Sequence, residues 1–262
     1  MANQHGSFIW YELLTRDIEA AKAFYDGVVG WDIQAEAPPG GIDYRMIQAQ
    51  DGYAGGAMQL SEQMLAGGAQ ASWLGYIGVD DVDVSATAVE AAGGSIHLAP
   101  FDIPGAGRAA MVADPQGVPF YIMRGSSPED STAYQRMGFQ HVAWNELQSP
   151  DDTAALAFYE KLFGITKVGA MPMGAMGDYS FIANGESAGE AIGAVMRAPG
   201  EGKPGWGFYF RVPDIHAAKA RVEELGGTVH HGPTEVPGGE MTLQASDPEG
   251  IFFGLVAPGK ES

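Results

Sequence analysis

Apolar and polar positions along the chain change period several times, and each change marks an element. Residues 8–14, Phe-Ile-Trp-Tyr-Glu-Leu-Leu, form a short, mostly apolar run expected to be a strand. From about Asp17 the period becomes helical, because Ile18, Ala21, Tyr25 and Val28 lie three, four and three residues apart and make one apolar stripe that Gly30 ends. Short strands are expected at Tyr44 to Gln48, Gly56 to Leu60, Trp73 to Val79, Ser95 to Leu98, Ala109 to Ala113 and Pro119 to Met123. Helices are expected to begin at Asp81 and at Asp214; in the latter, Ile215, Ala218, Val222 and Leu225 form the stripe before Gly226-Gly227. A further helix has Ser149 as its expected N-cap, Pro150 in the first turn and Asp152 three residues on, as in a capping box.

This pattern is stated twice. Trp10-Tyr-Glu-Leu through Phe24-Tyr25 to Gly30 recurs as Trp144-Asn-Glu-Leu through Phe158-Tyr159 to Gly164, a constant step of 134 residues. A second block, Val79-Asp-Asp81 through Gly93-Gly94 to Asp114-Pro-Gln-Gly117, recurs as Val212-Pro-Asp214 through Gly226-Gly227 to Asp247-Pro-Glu-Gly250, a step of 133. The expected organisation is α+β, with one unit at 1–127, a small polar linker at 128–136 and its copy at 137–262, each half holding two strand-helix-strands modules with a helix over one sheet face.

A helix ending in Phe-Tyr shortly before Gly, Gly-Gly after a second helix, and Asp-Pro-x-Gly before a last strand together resemble the vicinal oxygen chelate superfamily. That group includes glyoxalase I, bleomycin-resistance proteins, fosfomycin-resistance enzymes and extradiol dioxygenases. The resemblance covers nearly the whole chain. It implies a tandem of two glyoxalase-like domains, four βαβββ modules forming cup-shaped mixed sheets with helices on the outer face.

Enzymes of that superfamily hold a divalent metal with His, Gln or Glu side chains inside the cup. The motif spacing puts Trp10 and Trp144 at the first ligand position, Leu74 and Gly207 at the second, and Tyr121 and Gly254 at the third. Indole only donates, Leu and Gly offer nothing, and a phenol is a rare ligand, so the usual metal triad is expected to be missing from both halves. No cofactor is expected, and a divalent metal only at an atypical site. His141, in Phe-Gln-His-Val-Ala, stands three residues before Trp144, an odd step that aims it at the opposite face and suits a structural or surface role.

Alternation from Trp10 brings Glu12 onto the same strand face, and from Trp144 it brings Glu146, while Tyr11, Leu13 and Leu147 face the helices. Glu12 and Glu146 are the candidate catalytic groups, because a carboxylate beside an indole in a partly apolar cup could orient or protonate a ligand. They could equally be structural acceptors. Trp10, Tyr76, Tyr121, Trp144 and Tyr209 are candidate ligand-binding aromatics. His97 and His230, in matching positions and alternating with apolar neighbours, join them, although hydrogen-bonded histidines are the simpler reading. Asp114 and Asp247 read as turn formers, Arg108 and Arg211 as salt-bridge partners or anion clamps, and Met171-Pro-Met-Gly-Ala-Met176 as an apolar loop.

Composition narrows the partners. A net charge of −19 disfavours nucleic acid and anionic membranes and suits a small neutral or cationic ligand. With no Cys, disulfides, thiolate nucleophiles and Cys-bound zinc are excluded. The opening residues have no basic segment followed by an apolar run, so a cytoplasmic monomer or homodimer is expected. The leading expectation is a metal-independent small-molecule binding protein of the glyoxalase/bleomycin-resistance type. The rivals are a lyase, isomerase or dioxygenase acting on a small aldehyde, ketone or aromatic substrate through an atypical Glu/His metal site or Glu acid-base chemistry, and an interaction module whose cups are filled by their own side chains.

Overall fold

The structure is a computed structural model that describes residues 3–38, 41–185, 187, 189–198 and 203–259. Module one comprises β1 (Phe8–Thr15), α1 (Ile18–Val29), β2 (Asp32–Ile33), β3 (Tyr44–Ala49), β4 (Gly52–Gln59) and the short α2 (Glu62–Ala66). Module two comprises β5 (Ser72–Gly78), α3 (Val82–Ala91), β6 (Ser95–Ile103), β7 (Gly107–Ala113) and β8 (Pro119–Gly125). Module three comprises β9 (Val142–Ser149), α4 (Asp152–Phe163), β10 (Thr166–Pro172), β11 (Asp178–Ala183) and β12 (Gly193–Arg197). Module four comprises β13 (Gly205–Arg211), α5 (Ile215–Glu224), β14 (Thr228–Glu235), β15 (Met241–Ser246) and β16 (Phe252–Ala257).

The strands form two eight-stranded mixed sheets in the orders β2-β3-β4-β1-β5-β8-β7-β6 and β10-β11-β12-β9-β13-β16-β15-β14. In each module the first strand pairs in parallel with the last, as in Glu12 with Gly56 and Glu146 with Ala194, and the remaining pairs are antiparallel. The helix of each module supplies the crossover that a parallel pair requires. No helix of the described residues is long and apolar enough to cross a membrane.

Helix ends follow local chemistry. Asp17, Asp81, Asp151 and Asp214 are N-caps whose carboxylates accept from backbone N–H groups of the first turn. The expected Ser149 cap is therefore corrected: Ser149 ends β9, and Asp151, the repeat equivalent of Asp17, caps α4. Gly30 and Gly164 close α1 and α4 at φ 84 and 64, a left-handed conformation that costs a side-chain-bearing residue more.

Packing groups the modules differently from the chain order. One compact unit contains Met1–Ile9, Leu74–Ser131 and Trp144–Trp206, chiefly modules two and three; the other contains Trp10–Trp73, Thr132–Ala143 and Gly207–Ser262, chiefly modules one and four. The two repeated motifs meet inside each unit. In the unit of modules one and four, the fully buried Tyr25 of α1 receives a hydrogen bond from Trp73 Nε1 at 3.0 Å and donates to Asp247 Oδ2 at 3.2 Å. Asp247 Oδ1 meanwhile accepts from the backbone of Glu249 and Ile251, each at 2.9 Å, holding the Asp-Pro-x-Gly turn.

The unit of modules two and three repeats this, with Trp206 Nε1 to Tyr159 at 3.0 Å, Tyr159 to Asp114 Oδ2 at 3.4 Å, and Asp114 Oδ1 accepting from Gln116 and Val118. Burial pushes the Tyr25 and Tyr159 phenols well up, with the neighbouring carboxylates adding to the rise, and raises both aspartates above the ordinary range. The variable residue of Asp-Pro-x-Gly completes the joint. Glu249 accepts from Thr15 Oγ1 at 2.6 Å and Arg16 Nε at 2.7 Å, and Gln116 accepts from Ser149 Oγ and the Asp151 N–H, both at 2.7 Å.

Candidate functional site

Module three exposes one sheet face. Helix α4 packs on β10 and β12, and Ser180 and Ile182 are buried, whereas their strand neighbours Tyr179 and Phe181 are half-buried on the other face. The ladder registers place Phe181, Ala194 and Glu146 in one row of that open face and Met171, Tyr179, Met196 and Gln148 in the next. Trp144 precedes Glu146 by two positions along β9, as alternation requires.

These side chains make a continuous polar path through an aromatic surface. Trp144 Nε1 donates to Tyr179 Oη at 2.8 Å, and Tyr179 Oη donates to Glu146 Oε2 at 2.7 Å. Gln148 Nε2 donates to Glu146 Oε1 at 3.1 Å. Glu146 is buried, and both of its carboxyl oxygens accept hydrogen bonds from neighbouring side chains.

Module one, in the other unit, carries the counterpart. Trp10 Nε1 donates to Tyr44 Oη at 2.7 Å, and Glu12 is buried at the pairing position opposite Gly56. A Cβ on Gly56 would collide with the Tyr44 hydroxyl, so the phenol lies directly over this strand. Module three has Ala194 there, Phe181 where module one has Met46, and Gln148 where module one has Leu14. Tyr44, Tyr179, Gln148 and Phe181 were missed from the sequence. Their signal was present, because the hydroxyls stand at Tyr-x-Met and Tyr-x-Phe on a strand 34 and 35 residues after the respective indoles.

The remaining expected residues are placed as follows. Tyr76 and Tyr121 are buried partners in β5 and β8, stacked at 4.3 Å between ring centroids with 11° between planes. In module four the position of Tyr121 is Gly254, a Cβ of which would strike the Tyr209 ring, and Gln244 Nε2 donates to Tyr209 Oη at 2.7 Å. His97 and His230 do not continue the strand alternation that aimed them at the open face. The ladder steps from Ile96 to Leu98 and from Val229 to His231 against single partner steps, so each histidine is the extra residue of a bulge and is exposed, with His230 bonded to Ser246 Oγ at 3.0 Å.

His141 is fully buried, with Nε2 at 2.7 Å from Asp51 Oδ1 and Nδ1 lacking a hydrogen-bond partner among the described residues. Its bond holds the Asp51 carboxyl below the usual range. Arg108 pairs with Asp83 and Asp102, and the buried Arg211 pairs with Glu240 and donates to the Arg136 carbonyl, so both arginines are engaged in structural contacts. The methionine loop runs from β10 through a 3₁₀ turn at Gly174–Met176, with Met171 beside Tyr179.

The model of the Glyoxalase/Bleomycin resistance protein/Dioxygenase superfamily matches residues 7–122 and 138–255. The chain belongs to this superfamily. CFP32 of Mycobacterium tuberculosis, provisionally named a glyoxylase, is 31% identical over 256 residues, spanning 97% of this chain and 96% of its own. The anthracycline biosynthesis protein DnrV of Streptomyces peucetius is 29% identical over 263 residues, 96% of this chain and 93% of its own. Among solved structures, the Mn(II)-bound glyoxalase from Novosphingobium aromaticivorans aligns over 98% of this chain and 83% of its own at TM-score 0.65 and 17% identity. An extradiol ring-cleaving dioxygenase from B. fuscum aligns over 98% and 73% at TM-score 0.68 and 13% identity. These structural likenesses concern the fold.

The residues at the superfamily's ligand positions do not fit a metal ion. Trp10 and Trp144 spend their only polar atom donating to tyrosines, Leu74 is a buried aliphatic group, Tyr121 is stacked on Tyr76, and Gly207 and Gly254 carry no side chain. Among the described residues no three His, Asp or Glu side chains gather closely enough to form another such centre.

Proposed function

We propose that this superfamily member binds a small organic molecule, neutral or cationic, without a chelated metal, as a cytoplasmic monomer or homodimer. The observation that carries the reading is the Trp144–Tyr179–Glu146 hydrogen-bond chain, which stands in a half-buried aromatic surface at the strand position where a chelating side chain is expected. Ring faces supply apolar contact, and the phenol and carboxylate orient a polar group. A tryptophan-fluorescence titration against small aromatics, organic cations, aldehyde adducts and, given the names of the Streptomyces relatives, an anthracycline tests this. A saturable change that disappears in Trp144→Phe or Trp10→Phe is expected, and silence across the library refutes it.

A second reading has one specific support: Tyr179 Oη lies 2.7 Å from a buried carboxylate, an arrangement suited to moving a proton. Glu146 would then serve a lyase, isomerase or dioxygenase acting on a small aldehyde, ketone or aromatic substrate. Turnover of such a substrate falling about a hundredfold or more in Glu146→Gln, with binding retained, distinguishes this reading from simple binding.

A further inference from the structure

The geometry points to an organic ammonium ion as the class of molecule taken by the open face of module three, an inference that rests on the ligand-binding reading above. Three half-buried rings form its walls. Phe181 stands nearly perpendicular to Trp144, at 6.1 Å and 76°, and to Tyr179, at 5.7 Å and 79°, so the three rings present faces of two orientations on one side of the sheet. A cation is attracted to such faces by the ring quadrupole, and alkyl groups on nitrogen match them better than a hydrated metal ion does. Met171 and Met196, in the Tyr179 row, add polarizable thioethers suited to methyl groups and offer no hard oxygen donor.

Glu146 gives the cage its sign. Tyr179 and Gln148 donate to its two oxygens, which fixes this acidic side chain beside the Tyr179 ring. Donation by the Tyr179 hydroxyl also leaves its ring richer in electrons and more attractive to a cation. The rows Phe181–Ala194–Glu146 and Met171–Tyr179–Met196–Gln148 contain no Lys or Arg to favour an anion, and the net charge of −19 draws cations toward the molecule. Module one has Met46 in place of Phe181 and Leu14 in place of Gln148, so it has neither that aromatic wall nor that amide. The ammonium site is therefore assigned to module three.

The test compares choline with its neutral carbon isostere, 3,3-dimethylbutan-1-ol, on the full chain, read by tryptophan emission and by calorimetry. Choline is expected to bind about tenfold more tightly. Glu146→Gln, which keeps an acceptor for Tyr179 but removes the charge, is expected to reduce that preference to about threefold or less, and Phe181→Met to weaken choline about fivefold. Equal binding of the two probes to the unmodified protein overturns the ammonium assignment while leaving the ligand-binding reading intact. Failure of choline to bind overturns it as well; the broader reading then falls only if neutral aromatics and aldehyde adducts also leave the emission unchanged.

Discussion

In the unit of modules one and four, Trp73, Tyr25 and Asp247 form a buried chain; in the unit of modules two and three, Trp206, Tyr159 and Asp114 form the same chain with the same 3.0 Å indole-to-phenol bond. The open faces are not alike. Met46, Gly56 and Leu14 in module one correspond to Phe181, Ala194 and Gln148 in module three, and the stacked Tyr76–Tyr121 pair of module two corresponds to Tyr209 over Gly254 in module four. A buried polar cluster tolerates little change, because removing one member strands the others away from water. The half-buried side chains Trp144, Gln148, Tyr179 and Phe181 are less enclosed, so changes among them are less constrained. Structure is duplicated in the interior, and the side chains of the faces have diverged.

Truncation of the shared cluster tests that equivalence with the largest effect. Tyr25→Ala and Tyr159→Ala are each expected to cost about 3–5 kcal/mol in denaturant unfolding, through lost packing. Tyr→Phe at either position is expected to cost about 1–3 kcal/mol, because the indole N–H and the aspartate oxygen lose a buried partner. A large cost in one unit and none in the other would break the comparison.

Gly254→Ala addresses the divergent side. Its methyl would meet the Tyr209 ring, so a cost of about 1–3 kcal/mol is expected. A double-mutant cycle with Tyr209→Ala should show the two changes strongly coupled. Additive effects would mean that the ring does not occupy this space.

The pH dependence sharpens the interior half of the comparison with a smaller effect. Burial raises the Asp114 and Asp247 pKa above the ordinary aspartate value, so on acidification these groups take up protons in the folded chain before the unfolded one. Their contribution therefore favours folding below the unfolded-state pKa and is lost as pH rises through the folded-state value. Asp114→Asn with Asp247→Asn should flatten the stability profile in that acidic window, and an unchanged profile would contradict the assigned cause.

Much of the fold was legible. The helical stripes, the Asp81 and Asp214 starts and the double repeat specify the modules, because periods of two and 3.6 residues are local properties. What failed was non-local. His97 and His230 alternate correctly with their neighbours in sequence, yet a bulge fixed by the partner strand turns each outward. Tyr25 and Asp247 meet across more than two hundred residues, and nothing in either motif names the other. The candidate site was half readable: alternation from the indoles placed Glu12 and Glu146 on the same strand face, whereas Tyr44 and Tyr179 lie on other strands and are signalled only by their matched spacing of 34 and 35 residues from the two indoles. Ser149 was a local error, since the 134-residue step from Asp17 already pointed to Asp151.

In the proposed reading, indole, phenol and carboxylate recognise a ligand without a chelated metal. Elemental analysis of the purified chain, paired with a ligand titration before and after exhaustive chelation, tests it most directly. Substoichiometric nickel, zinc, iron and manganese are expected, with an affinity that chelation leaves unchanged. One equivalent of a transition metal per chain, with binding lost on its removal and restored on its return, would contradict it.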